Sequence, residues 1–168
     1  IEKDFLTNLG LTVAPYAHVN SEEDLRAAVA KVGLPAILKT CRFGYDGKGQ
    51  ARLETEADIA PAWEAMAGAP SVLEGFISFT KEISIIAARG PSGEVSCYDP
   101  GENVHEGGIL RTTTVPAVIP ASLRTDAVLL AARVLNALEY VGVMGVELFV
   151  TPNGLIVNEI APRVHSRK

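Results

Sequence analysis

The sequence has few cysteines, few aromatic residues and no excess of positive charge. Its two cysteines, Cys41 and Cys97, stand far apart among 168 residues, so neither a disulfide framework nor a zinc-binding spacing is indicated. Fifteen Lys and Arg against twenty Asp and Glu give a net charge of -5, which argues against sequence-independent binding to nucleic acid. The longest apolar stretch, residues 140–146, is far below the roughly 18 residues of a membrane-spanning helix. With no secretory signal, we expect a cytoplasmic protein with free thiols and no membrane partner.

Apolar residues make up 48% of the chain, enough for one large core or two small ones. In the first half, the hydrophobic pattern and capping signals predict helices from Ser21 to Gly33 and from Thr55 to Met66. In the second half, the clearest helix follows Pro120. Strands are predicted at residues 36–39, 71–74, 82–87, 94–97, 109–115, 143–150 and 155–160. The helices are segregated from antiparallel strands, which is typical of an α+β fold.

The last predicted hairpin brings two carboxylates together. Residues 152–154 suggest a type I turn followed by a left-handed glycine, a three-residue loop that pairs Thr151 with Leu155. Counting back from this pair places Glu147 directly opposite Glu159 on one face of the sheet. Facing carboxylates repel unless they share a proton or hold a cation, and oxygen ligands of this kind suit magnesium together with substrate phosphates.

The environment of these carboxylates leaves two interpretations open. Asn158 and the apolar neighbours of the hairpin favour a site that faces the interior. Alternatively, this face of the sheet is solvated, and Glu147 and Glu159 splay into water.

A glycine-rich loop at residues 42–50 follows the first predicted strand of this half. It lacks the Ser or Thr that ends a Walker A motif. Its closely spaced glycines would still let backbone amides approach phosphate oxygens, with Lys48 and Lys39 as nearby positive charges. Alternatively, Asp46 and Gly47 form a simple hairpin turn, and Lys39 extends to solvent at the strand end.

Glu74 and Glu82 flank a break at residues 75–79, where a nucleotide would find a donor and acceptor for its base and a carboxylate for its ribose. Composition alone favours solvated positions for both glutamates. A lone histidine such as His105 is more often structural than catalytic. The remaining candidates for anion contacts are Arg111, Arg163 and His165.

Several motifs together resemble one known family. They occupy residues 39–40, 44–50, 72–76, 81–84, 87–90, 102–105, 108–111 and 158–165. In this order they resemble the 5-(carboxyamino)imidazole ribonucleotide synthases, which are ATP-grasp enzymes of purine biosynthesis. The resemblance implies a reaction in which ATP phosphorylates bicarbonate to carboxyphosphate. The amine of 5-aminoimidazole ribonucleotide then captures this carboxyphosphate or the carbon dioxide it releases.

The resemblance also implies roles for individual residues, with ATP and Mg2+ as cofactors. The phosphate ligands would be Lys39, Gly44, Tyr45, Asp46, Gly47, Lys48, Gly49 and Gln50. The adenine would lie at Glu74, Gly75, Phe76 and Ile77, the ribose at Glu82, and His105 near the nucleotide. Magnesium would be held by Glu147 and Glu159, with Asn158 and Glu159 also contacting the nucleotide. Arg163 and His165 would act catalytically, where bicarbonate and the aminoimidazole meet.

The resemblance further implies an ATP-grasp core of two α+β lobes without the N-terminal and C-terminal domains of the family. Residues 1–20 would connect from an absent domain, residues 21–71 would form the lid lobe, and residues 72–168 a truncated larger lobe. The complete enzyme would form a homodimer. Two departures are Cys41, where many relatives have arginine, and the ending at residues 166–168. The open alternatives are another ATP-grasp carboxylate-amine ligase, or a nucleotide-binding fragment without activity.

Overall fold

The structure, a computed structural model, describes residues 2–41, 49–107 and 109–162. It is an α+β fold, as the sequence predicts. The chain divides into two compact units. The smaller unit is residues 14–77, and the larger unit combines residues 1–13 with residues 78–168. Among the described residues, no helix is both long and apolar enough to cross a bilayer.

Four α-helices are present in the described part of the chain. They are α1 (Glu2–Asn8), α2 (Glu22–Val32), α3 (Ile59–Ala65) and α4 (Ala121–Ala137). The predicted caps of α2 are confirmed, because the Asp24 amide donates to Ser21 Oγ at 3.0 Å and Gly33 ends the helix with φ 88°.

The helix predicted from Thr55 to Met66 begins instead with a single 3-10 turn at Glu56–Asp58, followed by α3. The carboxylate of Asp58 accepts hydrogen bonds from the amides of Thr55 at 2.8 Å and Glu54 at 2.9 Å. These bonds, the Thr55 bond first, lower the pKa of Asp58 below its usual value because they favour the charged form.

The smaller unit is an antiparallel sheet of four strands. They are β1 (Tyr16–Val19), β2 (Ala36–Thr40), β3 (Gln50–Leu53) and β4 (Ser71–Gly75), in the order β1-β4-β2-β3. Helices α2 and α3 contribute to its apolar core, where Leu25, Leu38, Leu53 and Leu73 have no exposed surface.

The larger unit contains a six-stranded sheet. Its strands are β5 (Lys81–Arg89), β6 (Val95–Cys97), β7 (Gly101–Glu106), β8 (Ile109–Thr114), β9 (Gly142–Thr151) and β10 (Gly154–Ala161). The order is β10-β9-β5-β7-β8, with β6 paired to the far part of β5. The sequence prediction lacks strands β1, β3 and β7. In β7, only Gly101 and Asn103 are buried, so this strand has no alternating apolar pattern that would reveal it.

One face of the larger sheet packs on α4. Ile83, Ile85, Val146 and Leu148 from the strands are fully buried there with Leu135 of the helix. The side chains between these strand residues belong to the opposite face, because successive side chains of a strand alternate.

The boundary between the units differs from the sequence expectation. Residues 72–77 belong to the smaller unit because β4 pairs with both β1 and β2. Residues 1–13 belong to the larger unit, where Leu6 of α1 is fully buried in the core. They are therefore part of a folded unit rather than only a connection.

Shortening a core side chain of α4 should destabilise the larger unit. Leu135 is fully buried, so we expect Leu135→Ala to lower the free energy of unfolding by about 2 to 5 kcal/mol. Leu129 lies on the same helix but is 62% exposed, so Leu129→Ala should change it by less than about 0.5 kcal/mol. Urea denaturation followed by circular dichroism measures both. Equal effects would contradict the assigned packing face of α4.

Candidate functional site

In the smaller unit, a lysine and a buried glutamate from adjacent strands form an ion pair. Lys39 Nζ lies 3.1 Å from Glu74 Oε2. Glu74 pairs with Ile37, two residues before Lys39, so both side chains lie on the sheet face opposite the core. Glu74 is only 6% exposed, which contradicts the solvated position that composition favours. The ammonium group of Lys39 compensates for the free-energy cost of burying the Glu74 carboxylate. About a third of the Lys39 side chain is accessible to solvent.

The ends of the glycine-rich loop lie beside this ion pair. Lys39 pairs with Gln50 across β2 and β3, and the amide of Thr40 donates to the carbonyl of Gly49 at 2.8 Å. Gly49 has φ 73°, a left-handed conformation that glycine adopts without strain. The loop therefore connects two antiparallel strands next to a lysine. The site residues Gly44, Tyr45, Asp46, Gly47 and Lys48 lie outside the described residues.

The segment after Glu74 is fixed by backbone hydrogen bonds. The amide of Gly75 donates to the carbonyl of Pro15 at 2.8 Å, and the amide of Phe76 donates to that of Pro35 at 3.0 Å. The Phe76 ring is 43% exposed and lies 4.6 Å from the guanidinium carbon of Arg52. The segment thus presents an accessible aromatic ring, while two of its amides are committed within the unit.

In the larger unit, β7 pairs with β5 and brings Glu82 to His105. Their Oε1 and Nδ1 atoms lie 3.2 Å apart. Glu82 is 9% exposed, so the solvated position that composition favours is wrong here too. Because the sequence prediction lacks β7, only the family resemblance, and not strand pairing, relates these two side chains.

A buried asparagine, Asn103, lies on the same face and is not among the site residues predicted from the sequence. Asn103 pairs with Glu82 and is 7% exposed. Its Oδ1 accepts hydrogen bonds from Thr113 Oγ1 at 2.9 Å and from Ser84 Oγ at 3.4 Å. The spacing of Asn103 and His105, two residues apart in one strand, was the available signal.

The terminal hairpin confirms the facing pair but not the predicted turn. Thr151 pairs with Gly154 rather than Leu155, so the loop has two residues. A register shift between Val157 and Glu159 then inserts Asn158 as an extra residue. Beyond this bulge, Glu159 is opposite Glu147, as predicted.

The two carboxylates lie on the open face of the sheet rather than in an apolar interior. Glu147 is half-buried and Glu159 is exposed, and the core of the unit lies on the other side. Asn158 Nδ2 lies 3.5 Å from Glu147 Oε2. Ser84 is directly opposite Glu147 on the next strand.

The oxygen donors of this face fit a hard divalent cation. Within the described residues, no group of three or more His, Cys, Asp or Glu side chains could hold a metal alone. Two carboxylates match magnesium, which commonly takes one or two protein carboxylates and completes its shell with water and phosphate oxygens.

Two stacked phenylalanines border this oxygen-rich face. The rings of Phe79 and Phe149 lie 4.4 Å apart with an interplanar angle of 7°. Phe149 pairs with Glu82, so an apolar surface adjoins the buried carboxylate. The candidate catalytic residues Arg163 and His165 lie outside the described residues.

Comparisons with known proteins agree with the motifs. The ATP-grasp domain family matches residues 4–167. The N5-carboxyaminoimidazole ribonucleotide synthase of Brucella melitensis is 49% identical over 168 residues, which cover 98% of this chain and 46% of that protein. A solved ADP complex of N5-carboxyaminoimidazole ribonucleotide synthetase has a TM-score of 0.91 at 40% identity, over 98% of this chain and 44% of that one.

A third relative was solved with two bound molecules. It is the N5-carboxyaminoimidazole synthase of Aspergillus clavatus in complex with ADP and 5-aminoimidazole ribonucleotide. Its TM-score is 0.85 at 27% identity, over 97% of this chain and 43% of that one. The chain thus spans less than half the length of these relatives. Since the domain family matches almost every residue, the chain belongs to the ATP-grasp family.

Proposed function

We propose that the chain provides the ATP- and magnesium-binding part of an N5-carboxyaminoimidazole ribonucleotide synthase. This enzyme would use ATP and bicarbonate to carboxylate 5-aminoimidazole ribonucleotide. The observation that carries the proposal is the oxygen-rich sheet face with Glu82, Glu147 and Glu159, in a chain 49% identical to such a synthase. A cytoplasmic location and a homodimer of the complete enzyme remain predictions.

Glu147 and Glu159 would hold magnesium, with Asn158 contacting the nucleotide beside them. When bound, the metal neutralises phosphate charge and lowers the barrier to phosphoryl transfer. The protein's part is to keep both carboxylates on one face and to direct their oxygens outward. The register of β9 and β10 supports this role, because it places the two residues directly opposite each other.

Lys39 would contact the phosphates together with the amides of residues 44–50. Its ion pair with Glu74 holds the ammonium group beside the sheet, which would reduce the entropy lost on binding a phosphate. The glycine-rich loop begins and ends beside this lysine because β2 and β3 are paired at Lys39 and Gln50.

The base and ribose would bind along residues 74–77 and at Glu82. Since the amides of Gly75 and Phe76 already donate to proline carbonyls, we expect adenine to use other polar groups of this segment. His105 would lie near the nucleotide and limit the orientations of the Glu82 carboxylate. This carboxylate would accept hydrogen bonds from the ribose hydroxyls.

Arg163 and His165 would bind bicarbonate and the aminoimidazole. An arginine recognises an oxyanion through two parallel hydrogen bonds, and a histidine can transfer the proton that the acceptor amine loses when the new carbon–nitrogen bond forms. These two roles depend on the family resemblance alone.

A second candidate is a nucleotide-binding unit that does not carboxylate by itself. The observation favouring it is that the candidate residues in the described part of the chain, such as Lys39, Glu82 and Glu147, are those proposed for the nucleotide and its metal. Orientation of both reactants supplies roughly 7 to 11 kcal/mol of such a barrier, so a unit that binds the nucleotide alone would not carboxylate. Phosphate release from ATP with bicarbonate, measured with and without 5-aminoimidazole ribonucleotide, separates the candidates. Release that depends on the aminoimidazole at the rate of the whole synthase would exclude the second.

Neutralising either hairpin carboxylate should abolish turnover. In the complete protein, Glu147→Gln and Glu159→Gln each remove one charged metal ligand. We expect activity to fall more than about 100-fold, which exceeds the loss caused by mutating residues that only support a metal ligand. Glu102→Gln makes the same charge change on the other face of the sheet, where Glu102 pairs with Ile83, and should retain activity. Near-normal turnover in either hairpin variant would refute the proposed metal site.

Removing the ammonium group of Lys39 should weaken ATP binding. A hydrogen bond to a charged group contributes about 1.5 to 3 kcal/mol, so Lys39→Met should raise the Kd for ATP by roughly 10- to 100-fold. Isothermal titration calorimetry measures this change. Lys31→Met is the control, because Lys31 is exposed in the last turn of α2. Lys39→Arg keeps a cation beside buried Glu74 and separates a loss of affinity from a loss of folding.

A further inference from the structure

The bulge at Asn158 determines which side chain of β10 faces Glu147. Before the bulge, Val157 pairs with Leu148; after it, Glu159 pairs with Glu147. If the first register continued, Asn158 would be opposite Glu147. Glu159 would then be opposite Val146, whose side chain lies in the core. The extra residue therefore places the Glu159 carboxylate on the open face of the sheet, which is the outer face, opposite the core.

A bulge leaves backbone groups that the neighbouring strand cannot satisfy, and such groups need other partners. In this protein, helix α1 supplies them. Lys3 Nζ donates to the carbonyl oxygen of Asn158 at 2.7 Å, and the amide of Ile160 donates to Glu2 Oε1 at 3.3 Å. Two consecutive residues of α1 thus bond to the backbone immediately before and after Glu159.

The neighbouring backbone is held from the same side. The amide of Val157 donates to the carbonyl of Thr12 at 2.8 Å, and Val13 forms a parallel bridge with Val157. Residues 2–13 therefore line the edge of β10 that is not paired with β9. They satisfy backbone polar groups that an edge strand would otherwise expose.

Anchoring α1 does not by itself require these two charged residues. Leu6 already fixes the helix in the core with no exposed surface, and Arg133 of α4 donates to the carbonyl of Leu9 at its other end. Lys3 is only 6% exposed, and burying an ammonium group costs free energy that an apolar residue would avoid. This cost is explained if the lysine fixes the position of the Asn158 carbonyl.

We propose that Lys3 and Glu2 are positioning residues for the proposed metal site. They hold the backbone on both sides of Glu159, so that its carboxylate stays opposite Glu147. This inference depends on the proposed function, because it assumes that the two carboxylates bind magnesium with the phosphates of ATP.

The test measures metal dependence and backbone protection in the complete protein. Lys3→Met keeps the bulk of the side chain and removes its donor. We expect the Mg2+ concentration for half-maximal ATP binding, measured by calorimetry, to rise about tenfold, the lower end of the range for residues that support metal ligands. Without nucleotide, amide hydrogen exchange at residues 159–161 should become faster.

Three further variants separate positioning from general stability. Arg133→Met removes a polar contact at the C-terminal end of α1; it should lower Tm without changing the Mg2+ requirement. Glu2→Ala should raise this requirement in the same direction as Lys3→Met, whereas Glu2→Gln keeps the acceptor for Ile160 and should not. Because Glu2 is only half-buried, this pair tests the inference even if Lys3→Met fails to fold.

Two results would overturn the inference. One is an unchanged Mg2+ requirement in both Lys3→Met and Glu2→Ala. The other is an equal rise in Arg133→Met, which would show that any loosening of α1 has this effect. Glu159→Gln serves as the reference. If Glu159→Gln leaves the Mg2+ requirement unchanged, the proposed metal site itself is refuted, whatever the Lys3 variant does.

Discussion

The alternation of side chains across the six-stranded sheet, and its interruption at Asn158, determine the candidate site. Aliphatic residues on one face pack against α4, and residues directly opposite each other in antiparallel strands share a face. Glu82, Ser84 and Glu147 therefore lie on the outer face through strand pairing alone. Glu159 reaches that face only because the bulge adds one residue to β10. A single insertion thus decides whether β10 directs a carboxylate outward or into an apolar core.

The same bulge explains how the sequence predicted the correct pair from an incorrect turn. A three-residue loop and an uninterrupted ladder place Glu147 opposite Glu159, and so do the observed two-residue loop and the later bulge. Nothing local marks the bulge, because the side chain that bonds to its carbonyl belongs to Lys3, 155 positions away in the chain. Features with local causes, such as the Ser21 cap of α2, were predictable. Features that need a distant partner were not.

The burial of Glu74 and Glu82 also depends on partners from other strands. Composition favours solvent for Glu74 and Glu82, because an isolated carboxylate is costly to bury. Each instead has a basic group on a neighbouring strand: Lys39 for Glu74 and His105 for Glu82. The first partner comes from the β2–β4 pairing, and the second from β7, a strand without an apolar pattern. Sequence motifs identified the residues, whereas sheet topology supplied the reason for their burial.

The N-terminal segment shows that the larger unit is assembled from distant parts of the chain. The family resemblance implies that residues 1–20 are a connection from an absent domain. In the structure, residues 2–13 satisfy backbone groups of β10 at Val157, Asn158 and Ile160. A bulged edge strand without this cover would expose these groups. Docking of α1 and formation of the correct β10 register should therefore be one cooperative event, so that the candidate site is complete only when both ends of the unit have met.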